Sequence, residues 1–406
     1  MAAAASKPLR VVILGGGYAG LTVAHRLAQQ KRGWSITLID AKSEFTERVR
    51  LHQVAAGQAL AGFDYRSFLT PLGVEFIQAE VMALQPGLSA LSLRRIDGSE
   101  AQLGYDYLVY ALGSSAKIDV VPGVREHAHV FQSVGAAQQM YATLAQFQRP
   151  RVLVVGGGLT GIETAAELAE CQPHAQITLA IDQPWGKAMV PGGFDRRIIA
   201  YLQQSFEKRH IALRSGARVL ALRAGHAEFS DGSELAFDAC IWTSGFAPPA
   251  LARAAGIGVN AHGQILTDSG LRSISHPNII AVGDAAQAAS DAAGPCRMGS
   301  ATALAMGTAA ARTLKALAAG RTPPAFQFVY LFRNISLGRH DGVVQFVDRR
   351  DLPRRVVWTG ANAAAWKEYI CRSTLSTIGL TAAEPVPALP PVRMLPQLLR
   401  GLQQYA

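Results

Sequence analysis

The sequence predicts an α/β chain built from two nested units of the parallel strand–helix–strand kind, each with an inserted β-meander, and a small C-terminal α+β unit. Three observations predict it. Residues 11–28, VVILGGGYAGLTVAHRLA, return as residues 152–169, VLVVGGGLTGIETAAELA, with glycine triplets starting at Gly15 and Gly156, 141 positions apart. Each copy is a short apolar run, a glycine turn and an Ala-rich helical pattern, the opening of a βαβ unit. Each is followed by a second strand ending in acid, Ser35–Asp40 and Gln176–Asp182, and then by alternating sequence with an Asp-Gly turn, at Asp97-Gly98 and Asp231-Gly232. Asp-Gly between alternating runs is a hairpin signal.

The remaining elements follow in order. The alternating stretch 74–112 ends in Tyr107-Leu108-Val109-Tyr110, and 211–243 ends in Cys240-Ile241-Trp242. A further parallel strand is expected at Asn278–Val282, closing on Gly283-Asp284, with a long Ala-rich helix from about Ser300 to Ala319, stopped by Gly320 and Pro323. The first unit is thus interrupted by the second and resumes near residue 247, which gives domains at 1–120 with 247–321, at 121–246 and at 322–406. The last contains Phe326–Phe332, a turn at His340-Asp341-Gly342, a strand at Val343–Val347, and helices near 361–377 and 394–403.

Composition narrows the class. With 406 residues, 49% of them hydrophobic, two or three cores are expected. Lys and Arg number 39 against 29 Asp and Glu, a net charge of +10 that favours anionic ligands but is scattered, with no run of five or six to make a nucleic-acid tail. No apolar stretch reaches the roughly 18 residues of a membrane span. Met1–Lys7 lacks the apolar core of a signal peptide and reads as a frayed end. Cys171, Cys240, Cys296 and Cys371 are never at CxxC spacing, so no zinc knuckle or thioredoxin-type motif is expected, no metal, and a reducing cytoplasmic compartment fits.

The chemistry sits on the repeat. In Gly15-x-Gly17-x-x-Gly20 the first glycine permits the tight turn, the second lets backbone approach a pyrophosphate, and the third lets helix pack on strand. The helix N-terminus then offers free N–H groups and a positive dipole end to phosphate. Asp40, 20 residues past Gly20, stands where a carboxylate meets adenosine ribose hydroxyls. This is a Rossmann-like dinucleotide fingerprint. Gly156-x-Gly158-x-x-Gly161 repeats it, but aligning the two second strands puts Ile181, not Asp182, at the Asp40 position. A ribose carboxylate argues for NADH over NADPH; Asp182, displaced by one, tilts the reading to NADH and leaves both open. Glu163, in the first turn of the second helix, is either a residue favourable to the helix dipole or a group near the nicotinamide or an electron acceptor. Asp284 ends a strand and can accept from ribityl hydroxyls, and the helix starting at Gly299–Thr302 can aim its N-terminus at the pyrimidine of a flavin, where reduction puts negative charge.

These segments, with Tyr105–Ser114, Asp238–Phe246 and Ile279–Ala286, resemble the two-dinucleotide-binding flavoproteins of the pyridine-nucleotide oxidoreductase superfamily, most closely the type II NADH dehydrogenase and apoptosis-inducing-factor-like branch. The resemblance implies FAD contacts at Gly15, Gly17, Gly20, Asp40, Lys42, the Val81 backbone, Gly113 and Asp284, and a nicotinamide cofactor along Gly156, Gly158, Gly161, Glu163 and Gly245. Arg48 is either a flavin-facing or a surface arginine. Two departures count: Ala111-Leu112-Gly113 stands where Ala-Thr-Gly is usual, and no cysteine pair follows the flavin loop, which argues against disulfide reduction. The implied enzyme passes electrons from NAD(P)H through FAD to a quinone-like or other small acceptor. The rivals are a sulfide:quinone oxidoreductase, with Cys171 (just past a helix) and Cys296 as its thiols, and a signalling protein of the apoptosis-inducing-factor type. In the tail, Pro385, Pro387, Pro390 and Pro391 precede Met394, Leu395, Leu398, Leu399 and Leu402 at helical spacing beside Arg393 and Arg400. That face fits packing on the protein or a dimer partner better than an anionic membrane, so at most weak peripheral contact with the inner face of a membrane is expected.

Overall fold

The computed structural model describes residues 7–380 apart from 31, 32, 188, 189 and 191. The chain enters as β1 (Leu9–Leu14), whose last four residues are buried, and turns through the glycine triplet into α1 (Tyr18–Ala28). β2 (Trp34–Asp40) lies parallel to β1. A short helix, α2 (Leu51–Ala55), precedes β3 (Glu75–Gln85), β4 (Ala90–Arg95), β5 (Glu100–Gly104) and β6 (Tyr107–Tyr110). β3 joins β2 in parallel, then folds back on β4, and β4 on β5 through the Asp97-Gly98 turn. β6 does not extend that meander. It pairs in parallel with β1, because Leu108, Val109 and Tyr110 are apolar on both faces and need cover on both sides.

The second unit follows α3 (Val134–Leu144), capped by Ser133. β7 (Arg151–Val155), α4 (Leu159–Cys171) and β8 (Gln176–Ile181) repeat the opening. α5 (Arg196–Lys208), capped by Asp195, leads to β9 (Ala212–Ser215), then a meander of β10 (Val219–Arg223), β11 (His226–Phe229) and β12 (Glu234–Ala236) that turns at Asp231-Gly232, then β13 (Ala239–Trp242). As with β6, β13 leaves the meander and pairs in parallel with β7. The four-stranded sheet runs β9-β8-β7-β13.

The chain returns where Phe246–Ala247 pairs antiparallel with Ser115–Ala116, and β14 (Ile279–Ala281) adds to β6. The first sheet is therefore β14-β6-β1-β2-β3-β4-β5. α6 (Ser300–Ala318) crosses α1 closely at Gly307, where a Cβ would lie 2.7 Å from the Ala19 carbonyl oxygen. The C-terminal unit is an antiparallel sheet of β15 (Phe332–Ser336), β16 (Gly342–Val347) and β17 (Pro353–Thr359), backed by α7 (Ala361–Thr377). The aromatic run from Phe326 reaches sheet pairing only at Phe332; Phe326 stacks on Phe328 instead, and Phe328 meets Tyr330 edge to face. The tail beyond Leu380, including the expected helix near 394–403, lies outside the described residues.

Candidate functional site

The two glycine turns are built alike. Gly15 has φ +97°, and a Cβ there would sit 2.5 Å from the Ala111 carbonyl oxygen; Gly156 has φ +129°, and its Cβ would sit 2.5 Å from Thr243 Oγ1. Gly20 and Gly161 admit the helix so closely that a Cβ on either would overlap the carbonyl oxygen of Gly15 or Gly156. Gly17 and Gly158 are different: a Cβ on either meets nothing within 4 Å. Both cap their helices with no side-chain hydrogen bond and no acid in the first turn; Glu163, expected there, is the fifth residue of α4 and falls just past it. Where α3 and α5 start, Ser133 and Asp195 fill that place. Bare N–H groups at the carboxyl end of a parallel strand form an anion seat, and the chain has one in each sheet. A third bare start is Gly299 of α6, again with open space around it and no acid in the first turn.

Around the first turn, Asp40 accepts from Gly16 N–H at 2.7 Å and from Lys42 N–H at 2.9 Å, and Tyr65 OH donates to the Gly16 carbonyl at 2.7 Å. Lys42 reaches the Gln132 carbonyl with its ammonium. Val81 lies on β3 opposite Leu93, beside a bulge. A second group gathers where β6 and β14 end. Ser114 Oγ donates to Asp284 at 2.6 Å, Gly299 N–H donates to the other Asp284 oxygen at 2.9 Å, and the Arg48 guanidinium donates to the Ser114 carbonyl at 2.6 Å. Arg48, Gly113, Asp284 and the start of α6 are thus one cluster. Thr302 is buried, and its hydroxyl donates back to Gly299 and Arg297 carbonyls, so its side chain is spent on holding the turn. Gly245, φ +69°, accepts from Lys117 N–H at the crossing between the units. Asp182 stands exposed just past β8.

Glu163 lies deep. It is 6% exposed, 2.9 Å from the Lys367 ammonium of α7, and accepts from Ser336 N–H at 3.0 Å. Burial pushes its carboxyl up, but Lys367, His52 and these hydrogen bonds outweigh burial and hold it below the usual carboxylate range. One turn on, Glu167 is paired with Arg339 at 2.8 Å, and His52 Nε2 approaches it at 3.9 Å. Arg50 grips Glu368 with two hydrogen bonds of 2.8 Å, and Arg372 adds a third. Burial lowers His52 to about 4 against the opposing pull of Glu163, with repulsion from Lys367, Arg339 and Arg50 adding to burial, so it is neutral near pH 7. A cavity of about 360 Å³ opens over this network, lined by Arg50, Gln58, Leu60, Arg339, Lys367 and Cys371 among others. Sequence reading singled out only Glu163 here. The Glu163, Glu167, Glu170 spacing, one helical face, was the available signal.

Cys171 is the last residue of α4, not past it, and contacts Gln58; Cys296 accompanies Tyr330 ahead of α6. Cys171, Cys240, Cys296 and Cys371 are all free.

Two sheets built on parallel strands, each opened by a bare glycine helix start, have the form of a two-dinucleotide-binding fold. The model of the pyridine nucleotide-disulphide oxidoreductase family matches residues 9–309, and the chain belongs to that family of flavin- and nicotinamide-dependent oxidoreductases. Among curated relatives, the alternative NAD(P)H-ubiquinone oxidoreductase C1 of Arabidopsis thaliana is 29% identical over 69% of this chain, and the match spans 62% of the plant protein, less than two thirds of its length. The type II NADH:quinone oxidoreductase of Staphylococcus aureus is 25% identical over 84% of this chain and 90% of its own. The solved sulfide:quinone oxidoreductase of Aquifex aeolicus shares the fold, with a TM-score of 0.76 over 91% of both chains at 18% identity.

Proposed function

We propose that the chain is an NAD(P)H:acceptor oxidoreductase that holds FAD in its first unit (1–120 and 247–321), takes NADH or NADPH on its second (121–246), and reduces a quinone-like acceptor beside its C-terminal unit (322–406). The observation that carries this reading is the duplicated anion seat at Gly17 and Gly158. FAD fits the first: the Gly15–Gly20 backbone for its pyrophosphate, Asp40 for its adenosine ribose with Lys42 and the Val81 backbone nearby, and Gly113, Arg48 and Asp284 for its flavin half. Bound there, FAD supplies the redox chemistry, two electrons arriving as hydride from NADH or NADPH and leaving to a second substrate. The start of α6 at Gly299–Thr302 turns a positive dipole end toward charge that develops on reduction. Gly156, Gly158, Gly161 and Gly245 place the nicotinamide nucleotide.

Reduction of a quinone also consumes protons, and the cavity over α4 and α7 is equipped for it. Lys367 lines the cavity, and its ammonium, held in place and charged by Glu163 Oε1, can donate a hydrogen bond to an acceptor oxygen as negative charge and then a proton arrive there. Two of the relatives are named for quinone reduction, which supports the acceptor class. Nothing pairs Cys171 with Cys296, so a thiol relay for sulfide is disfavoured, and a purely signalling role leaves the cavity network without a use. No described helix is long and apolar enough to cross a membrane, and the reading keeps at most peripheral contact, in the cytoplasm, with a homodimer permitted. The test is an acceptor screen on the purified protein: NAD(P)H oxidation is expected to depend on short-chain quinones and to be slow with oxygen alone. Turnover indifferent to quinone rejects the acceptor assignment.

A further inference from the structure

The two glycine turns are held by the same backbone hydrogen bond, and at one position they part. Gly15 N–H donates to the Ile39 carbonyl at 2.8 Å, and Gly156 N–H donates to the Ala180 carbonyl at 2.9 Å. The residue facing the middle glycine is the next along each strand: Asp40 against Gly16, Ile181 against Gly157. Asp40 collects the Gly16 and Lys42 N–H groups. Ile181 collects nothing polar. It is 3% exposed, and its Cγ2 lies 2.6 Å from where a Cβ on Gly157 would stand. Asp182 comes one residue later, exposed, past the last paired residue of β8. Ile181 fills the place that faces Gly157 and Asp182 lies beyond the strand in solvent, so the carboxylate displaced by one does not stand in for the missing one.

We infer that Ile181 sets the nucleotide specificity of the second unit, leaving its adenosine ribose site without a carboxylate, so that NAD and NADP are bound with little discrimination. A carboxylate at that point accepts the ribose hydroxyls and repels a 2′-phosphate; isoleucine does neither. The neighbouring strand supplies no free cation to reward the phosphate either. Arg214 of β9 is bound to Asp231 at 2.9 Å, with its guanidinium 3.9 Å from the Phe229 ring centroid. This inference rests on the nicotinamide-nucleotide reading of the second unit.

Calorimetric titration of the FAD-loaded protein with NAD⁺ and with NADP⁺ reads it without turnover, and stopped-flow flavin reduction by NADH and NADPH reads it again. The wild-type dissociation constants are expected within about tenfold of each other, Asp182→Ala is expected to leave their ratio within about twofold, and Ile181→Asp to shift it toward NAD⁺ by roughly tenfold or more. Flavin content checks that Ile181→Asp folds; the wild-type ratio and the exposed Asp182→Ala stand without it. A wild-type preference of about a hundredfold for either nucleotide, or a tenfold change of ratio in Asp182→Ala, overturns the inference. Absence of binding and of reduction by both nucleotides instead overturns the functional reading on which it rests.

Discussion

Asp284 spends both carboxylate oxygens on Ser114 and Gly299, and through Ser114 it fixes the Arg48 guanidinium. Asp284→Ala removes the one anion of that cluster, and each charge-assisted hydrogen bond lost is worth about 1.5–3 kcal/mol. The expected outcome is a protein that purifies largely without flavin, measured as flavin absorbance per protein, while Asp284→Asn retains more. Flavin content unchanged in Asp284→Ala would place the isoalloxazine elsewhere. Glu163 belongs to a different kind of arrangement. Glu163→Gln leaves the Lys367 ammonium buried without its counter-charge, which costs about 3–5 kcal/mol, while Glu163→Gln with Lys367→Met recovers part of it. Denaturant unfolding of the three proteins measures this, and equal midpoints would refute the pairing. The contrast also explains what sequence reveals. Gly15, Gly20, Gly156 and Gly161 are legible because their role is local backbone geometry. Lys367, Arg339 and Glu368 are not, because Glu163, Glu167 and Arg50, the partners that tie them to the rest of the chain, lie over 150 residues away and no spacing announces those pairs.

At the scale of elements, α7 is the piece that completes the cavity, bringing Lys367 against Glu163 of α4 and Glu368 against Arg50 just before α2. Its attachment is tuned by pH. His52, held at about 4 against an ordinary value of 6.5, is neutral in the fold and charges on unfolding, so its contribution to stability falls as pH drops from 6.5 toward 4. Glu163, held below its ordinary value, contributes above the usual carboxylate range and is lost as pH falls through its lowered value. Lys367 is displaced the other way: burial opposes its charge, Glu163 more than restores it, and the contribution disappears only as pH rises past its raised value. Melting temperature is therefore expected to fall between pH 6.5 and 4, and His52→Gln to flatten that fall by about 3 °C or more. An unchanged slope in the variant would mean the acid sensitivity arises elsewhere. β17 shows why this unit was hard to foresee: Pro353-Arg354-Arg355 opens the strand with charge and proline, without the largely apolar run that marks Val343–Val347 as a strand.

For the molecule as a whole, the repeat announced both parallel sheets, and Asp-Gly turns announced both meanders. What stayed hidden was that β6 and β13 leave their meanders for the parallel sheets, since a short apolar run reads alike in either setting. The proline-broken tail after Leu380 is expected to add little membrane affinity, so flotation with anionic liposomes should give the same result for the full chain and one ended at Glu384; salt-resistant cofloating that needs the tail would contradict this. The central claim is that one chain couples two nucleotide seats to an acceptor cavity. Anaerobic titration of the purified protein tests it most directly. The flavin band is predicted to bleach on addition of one equivalent of NADH or NADPH and to return when an oxygen-free quinone follows. A protein without a flavin band even after added FAD, or a band that neither nucleotide bleaches, would contradict the account.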